Sequence, residues 1–210
     1  MGGAVDNVLA WLAGHRSARR SLTVMSGVLL AGALVLLGFP VYTDLTHNSL
    51  QNKLSAQLGS AAERQAYLDG TIADGASLTR IVISKIGVST VVVQGTDDQA
   101  LQAGAGHYPT TPLPCQNGDV AIAGHRTTYG KPFSNINLLG VGDQITMRTP
   151  VGSCVYRITR APFVVAADDM GVVANTPGQA TLTLTSCHPK GSASHRIIIK
   201  ASMVSSEQSG

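Results

Sequence analysis

Three cysteines and six histidines are the side chains of this 210-residue protein best suited to covalent or metal chemistry. Cys187 is set apart by its place. It ends the run ATLTLTSC, in which Leu182 and Leu184 share one side while Thr181, Thr183, Thr185 and Cys187 share the other. Such a strand puts the sulfur at a strand end, beside threonine hydroxyls and turned from the apolar core. The plainer alternative is a thiol buried as a small hydrophobe. The next run, Arg196 to Met203, alternates too, with Arg196, Ile198 and Lys200 on one side. Paired as an antiparallel hairpin across His188–His195, the two runs set Arg196 opposite or nearly opposite Cys187. A guanidinium there can donate to an oxyanion formed on a substrate carbonyl; an edge arginine satisfied by water is the bland reading.

Nucleophilic cysteine chemistry also needs an acid or base. His15 and His47 lie in the N-terminal part of the chain. His188 and His195, neighbours of Cys187 and Arg196, point to the opposite face of an extended strand. His107 and His125 remain, and His125 follows the strand-like DVAIAG where a loop can present it. A solvated loop histidine is the alternative for either. Metal binding finds no CxxC, HxxxH or HExxH, and the acidic pairs Asp97–Asp98 and Asp168–Asp169 are too short for a calcium loop. No glycine-rich phosphate loop follows a strand.

These residues need elements to hold them. From Leu78 onward, short β-branched runs alternate with Gly, Pro, Asn and Asp. Eight strands are expected: LTRIVIS, STVVVQ, DVAIAG, QITMRT, CVYRITR, PFVVAA, ATLTLTSC and HRIIIKASM. Their spacing suits an all-β sandwich or closed barrel. Helical signals are brief, at Asp97–Ala103 and Phe133–Leu139. Residues 43–77 are polar and rich in Ala, Ser and Gln without a strong apolar stripe, and are expected to form a stalk, part helical and part flexible.

Leu22 to Phe39 runs 18 residues without a charge, enough for a helix to cross the hydrocarbon core. Arg16, Arg19 and Arg20 precede it against the single acid Asp6, which keeps the N-terminus cytoplasmic and exports the chain beyond Tyr42. A cleaved signal peptide is the rival, but no clean small-x-small site comes after the segment. The expected layout is a cytoplasmic segment 1–21, an anchor 22–42, a stalk 43–77, a catalytic β-domain 78–204 and a polar tail 205–210. After residue 41 the chain holds 12 basic and 11 acidic residues, so capture of nucleic acid or another polyanion is a poor hypothesis. Three cysteines in an oxidising compartment suggest one pair and one free thiol. Cys115 and Cys154 both sit beside turn residues, so a Cys115–Cys154 disulfide is expected, two unrelated thiols being the alternative.

Taken in order, LTRIVISKIGV, AGAGHYP, AIAGHRTTYGKPF, TLTLTSCHP and HRIIIKA resemble the sortase family of Gram-positive cysteine transpeptidases. The likeness spans roughly Leu78 to Val204. The family's Thr-Leu-x-Thr-Cys signature falls on Thr183, Leu184, Thr185, Ser186 and Cys187, with Ser186 in place of the usual Thr. AGHRTTYG, GHYP and SCHPK look most like class E, the housekeeping-type enzymes of actinobacteria. The resemblance implies an eight-stranded closed barrel with short helices, and Cys187, His125 and Arg196 as catalytic residues. It also implies a substrate face with Tyr108, Thr183 and Thr185; a Tyr108 that merely anchors its loop is the alternative.

The implied reaction cleaves exported proteins between Thr and Gly of a C-terminal Leu-Ala-x-Thr-Gly or Leu-Pro-x-Thr-Gly signal. The acyl group then passes to an amine of a peptidoglycan precursor or a pilin. No cofactor is implied, because a thioester conserves the energy of the peptide bond. Two other readings stay open: a cysteine endopeptidase using water, and a non-catalytic membrane-anchored β-domain.

Overall fold

The structure is a computed structural model describing residues 3–208. It divides into two units, one up to Tyr42 and one from Thr43 onward. The first holds helix α1 (Gly3–Gly14) and the start of α2 (Arg16–Gln57). Within α2 the apolar stretch turns its side chains outward, with Val24, Leu29, Leu34 and Leu37 all exposed. α2 is long and apolar enough to cross a membrane by length and composition.

The second unit is built on nine strands among the described residues. They are β1 (Ser77–Ile83), β2 (Val88–Gln94), β3 (Ala105–His107), β4 (Gly118–Ala123), β5 (Gln144–Thr149), β6 (Gly152–Ile158), β7 (Phe163–Ala166), β8 (Ala180–His188) and β9 (His195–Gln208). Their order is β6-β5-β1-β2-β3-β4-β8-β9-β7, and β6 also pairs with β9. That last pairing closes an eight-stranded ring, the barrel that was expected, with β7 beside the first residues of β9. Alternation fills its interior: Ile81, Ile122, Ile145, Leu182, Leu184 and Ile199 are all fully buried.

Ring membership differs from expectation in one place. PFVVAA forms β7, outside the ring, and the three-residue β3 takes the eighth position from a segment that reads as a turn. Gly106 explains why β3 is inconspicuous. A Cβ there would lie 2.3 Å from Gly95 O, so the position requires glycine despite its poor strand propensity. Of the two expected helices, α4 (Asp98–Ala103) forms, capped by the Asp97 carboxylate accepting from Ala100 N–H at 2.9 Å. Phe133–Leu139 contributes a single 3-10 turn, Ile136–Leu138.

The stalk needs the larger correction. Residues 43–57 continue α2, with Thr43, His47 and Leu54 buried against the barrel, and α3 (Ala61–Asp69) buries Tyr67 in its core. The seat escapes an apolar-stripe search because much of it is polar. The Gln51 carboxamide donates to Val91 O (3.0 Å) and Ala103 O (2.7 Å) and accepts from Val91 N–H (2.8 Å). α3 is started by Ser60, whose hydroxyl accepts from Glu63 N–H, while the Glu63 carboxylate accepts from Gly59 N–H. A left-handed Gly70 stops it.

Candidate active site

β8 and β9 pair antiparallel with Cys187 directly across from Arg196 and Thr185 across from Ile198. Cys187 is free and partly exposed, whereas Cys115 and Cys154 form a disulfide with Cα atoms 5.6 Å apart. Parallel pairing of β4 with β8 sets Ala123 beside Thr185, so the chain leaving β4 delivers His125 next to the end of β8. A cleft of about 190 Å³ opens there, lined by Tyr108, His125, Thr185, Ser186, Cys187 and Arg196 together with Leu101 and Gly124. The three residues expected to be catalytic therefore line one cleft.

Several bonds fix the His125 segment to the Cys187 strand. Gly124 N–H donates to Thr185 O (3.1 Å), and the buried Ser186 hydroxyl donates to Gly124 O (2.6 Å). Replacing the family's Thr by Ser thus keeps the hydroxyl that ties the two strands. Arg126 adds a third link that sequence reading missed. The residue is 5% exposed, and its guanidinium donates to Cys187 O (3.3 Å), Ser134 O (3.4 Å) and Asn137 Oδ1 (2.6 Å), with His188 Nδ1 at 3.3 Å. Burial lowers the Arg126 pKa and the Cys187 sulfur opposes that shift, so the two groups lie within electrostatic reach. The only signal for Arg126 was its adjacency to His125. A loop residue has no periodicity to betray its partners.

The two candidate histidines part company. His107 is fully buried in β3, with Nδ1 facing the Gln94 carboxamide at 2.8 Å and Nε2 at 2.9 Å from Pro112 O. Burial pushes its pKa down to about 4. It is a structural histidine, closed to substrate. His125 lines the cleft beside the Tyr129 ring, centroids 5.6 Å apart. Its pKa is also lowered, first by burial and then by the His47 ring, with the Asp98 carboxylate opposing.

The substrate-face expectation divides. Tyr108 and Thr185 line the cleft, their hydroxyls 3.1 Å apart. Thr183 does not: it is fully buried and donates to Asp119 Oδ2 at 2.6 Å. Asp119 is itself fully buried and accepts from Thr181 (2.9 Å) and Lys200 Nζ (2.9 Å), while Lys200 also donates to Val172 O (2.6 Å). Thr183 is committed to this lock and is closed to a peptide. The Arg196 guanidinium, by contrast, uses Nη1 on Ala193 O (2.9 Å) and His195 O (3.0 Å), leaving Nη2 and Nε without partners among the described residues. No group of three or more potential metal ligands occurs among the described residues.

The chain is 33% identical over 120 residues to Sortase D of Bacillus subtilis, covering 56% of this chain and 59% of that protein. It is 27% identical over 194 residues to Sortase SrtE1 of Streptomyces coelicolor, 84% of this chain and 55% of the relative. The chain thus spans less than two thirds of the length of these relatives. Among solved structures it is similar to a Clostridium perfringens Sortase D5 transpeptidase, with a TM-score of 0.66, 29% identity, and coverage of 76% of this chain and 99% of that one. It is also similar to Sortase E1 from Streptomyces coelicolor with a tripeptide in the active site, with a TM-score of 0.59, 28% identity, and coverage of 64% and 91%. The family description "Sortase domain" matches residues 81–204, more than half of the chain. With a closed barrel, a free cysteine at the end of β8 and these relatives, the chain belongs to the sortase family and is class E-like within it.

Proposed function

We propose that this protein is a membrane-anchored cysteine transpeptidase. It cleaves exported proteins between Thr and Gly of a C-terminal sorting signal of Leu-Ala-x-Thr-Gly or Leu-Pro-x-Thr-Gly type and transfers them to a cell-wall amine. The supporting observation is the shared cleft: Cys187, His125 and Arg196 line one space beside Tyr108 and Thr185. The relative solved with a tripeptide in its active site fits the same substrate class. The apolar part of α2 serves as the anchor, which keeps enzyme and exported substrate at high effective concentration on one surface.

With its pKa held below the ordinary value, His125 rests as neutral imidazole and accepts the Cys187 proton. The Cys187 thiolate attacks the Thr carbonyl, and the free Nη2 and Nε donors of Arg196 steady the oxyanion. Imidazolium His125 then protonates the departing glycine amine as the C–N bond breaks, leaving an acyl thioester on Cys187. An incoming amine attacks the thioester, gives its proton to His125 and releases Cys187 as the new amide forms. Tyr108 and Thr185 form the wall against which the Ala or Pro two residues before the scissile Thr is read.

The test incubates the full chain in detergent micelles with both peptide types, with and without a diglycine amine. The expected products are the transferred peptide when amine is present and a trapped acyl-Cys187 adduct when it is absent. Hydrolysis alone in the presence of amine would favour the endopeptidase reading. Absence of both cleavage and adduct would leave a non-catalytic β-domain.

A further inference from the structure

The helix between the apolar stretch and the barrel has no part in this chemistry, yet it touches the loop that carries His125. Its contacts fall on consecutive residues. Asp44 Oδ1 accepts from Gly130 N–H at 3.3 Å, and Asp44 Oδ2 lies 3.7 Å from Lys131 Nζ. The His47 ring sits so close over Gly130 that a Cβ built there would lie 2.2 Å from His47 Cδ2. Gln51, one turn further on, pins the helix to β2 and to the end of α4.

The residues touched here are held in an unusual backbone. Tyr129, Gly130 and Lys131 have φ values of 49°, 68° and 39°, and two of the three carry side chains that disfavour the left-handed region. Such a conformation persists only where the surroundings over-determine it. The next link is direct: the Tyr129 ring packs against His125. The loop's other end is separately fixed, since the fully buried Phe133 donates its N–H to His125 O at 3.1 Å. His47 itself is 7% exposed, and its Nδ1 has no partner among the described residues.

Building on the transpeptidase reading, we infer that Asp44 and His47 are positioning residues of the active site. By holding Tyr129–Lys131 against α2 they fix the His125 ring in the cleft, so that turnover depends on residues 43–51 as well as on the barrel.

The experiment uses the full chain in micelles and two shape-preserving variants, His47→Gln and Asp44→Asn, with Cys187→Ala alongside. His47→Gln is expected to lower kcat by about 10- to 100-fold with KM within about twofold, as for other misplaced catalytic groups. Asp44→Asn keeps an acceptor for Gly130 N–H but loses the Lys131 ion pair, and a smaller fall in kcat is expected. Alkylation of Cys187 by iodoacetamide should slow alongside kcat in both, because a displaced His125 no longer takes the thiol proton, and the thermal midpoint should stay within a few degrees. Wild-type kcat in both variants beside an inactive Cys187→Ala would overturn the inference alone. So would losses explained entirely by a lowered thermal midpoint. An active Cys187→Ala chain would bring down the transpeptidase reading and this inference with it.

Discussion

One face of β4, β8 and β9 runs through two very different settings. At one end Asp119, Thr181, Thr183 and Lys200 satisfy one another in a buried polar lock. At the other, reached along the same alternate positions, Thr185, Cys187 and Arg196 open onto a cleft. Thr183 and Thr185 share residue type, strand and parity, yet only Thr185 lines the cleft. What separates them is reach: the Asp119 carboxylate, paired across from Thr181, extends along the face to Thr183, whereas Thr185 lies beyond it, across from the Ala123 methyl. A buried carboxylate needs every donor within reach, so it closes its end of the face. A methyl asks for nothing and leaves the other end free.

The contrast can be broken first at its open end. Cys187→Ala should abolish cleavage and transfer while leaving the thermal midpoint unchanged, read by peptide turnover and calorimetry on the same sample. Next, Arg196→Lys should reduce kcat by about 100-fold or more, because a single ammonium cannot reproduce the donor fork. Near-normal turnover in that variant would remove Arg196 from oxyanion stabilisation.

The closed end should respond in stability and not in rate. Asp119→Ala strands the Lys200 ammonium and two hydroxyls and should destabilise the fold by about 3 kcal/mol in denaturant titration, with turnover of the folded fraction within a few-fold. The two histidines extend the comparison to pH. His107, with a folded pKa of about 4, refuses a proton that the unfolded chain accepts near 6.5. Stability from its neutral ring is therefore present above pH 6.5 and declines as pH falls toward 4, by about 3 kcal/mol in total. His107→Gln should flatten that slope in urea titrations across the window. The smallest effect is expected for Tyr108→Phe, which deletes the hydroxyl beside Thr185; a change of about 1 kcal/mol or less in kcat/KM, altering the Ala-to-Pro preference, would mark it as a reader of substrate.

Much of this was legible because it is periodic. Alternation along Thr181–Cys187 and Arg196–Lys200, with an assumed hairpin between them, set Arg196 opposite or nearly opposite Cys187, and the register pairs the two directly; all eight expected strands form. The illegible parts depend on partners distant in sequence. Asp119 meets Thr183 and Lys200 only through a parallel crossover pairing. β3 is held by a close backbone approach at Gly106 that needs glycine where propensity disfavours a strand. The seat of α2 uses Thr43, His47 and Gln51, so a search for apolar spacing passes over it. Ser60 and Glu63, by contrast, spell a helix start that the chain does use. Arg126 was hidden differently, since its four partners come from the end of β8 and from the segment between β4 and β5 that holds Ser134 and Asn137.

The bond between Cys115 and Cys154 has a practical corollary. With those two sulfurs joined, Cys187 is the one free thiol left in the oxidised protein. A chromogenic thiol titrant should therefore release one equivalent per chain, under native and denaturing conditions alike. That number would give the concentration of competent molecules in any preparation, and every rate could then be expressed per working site.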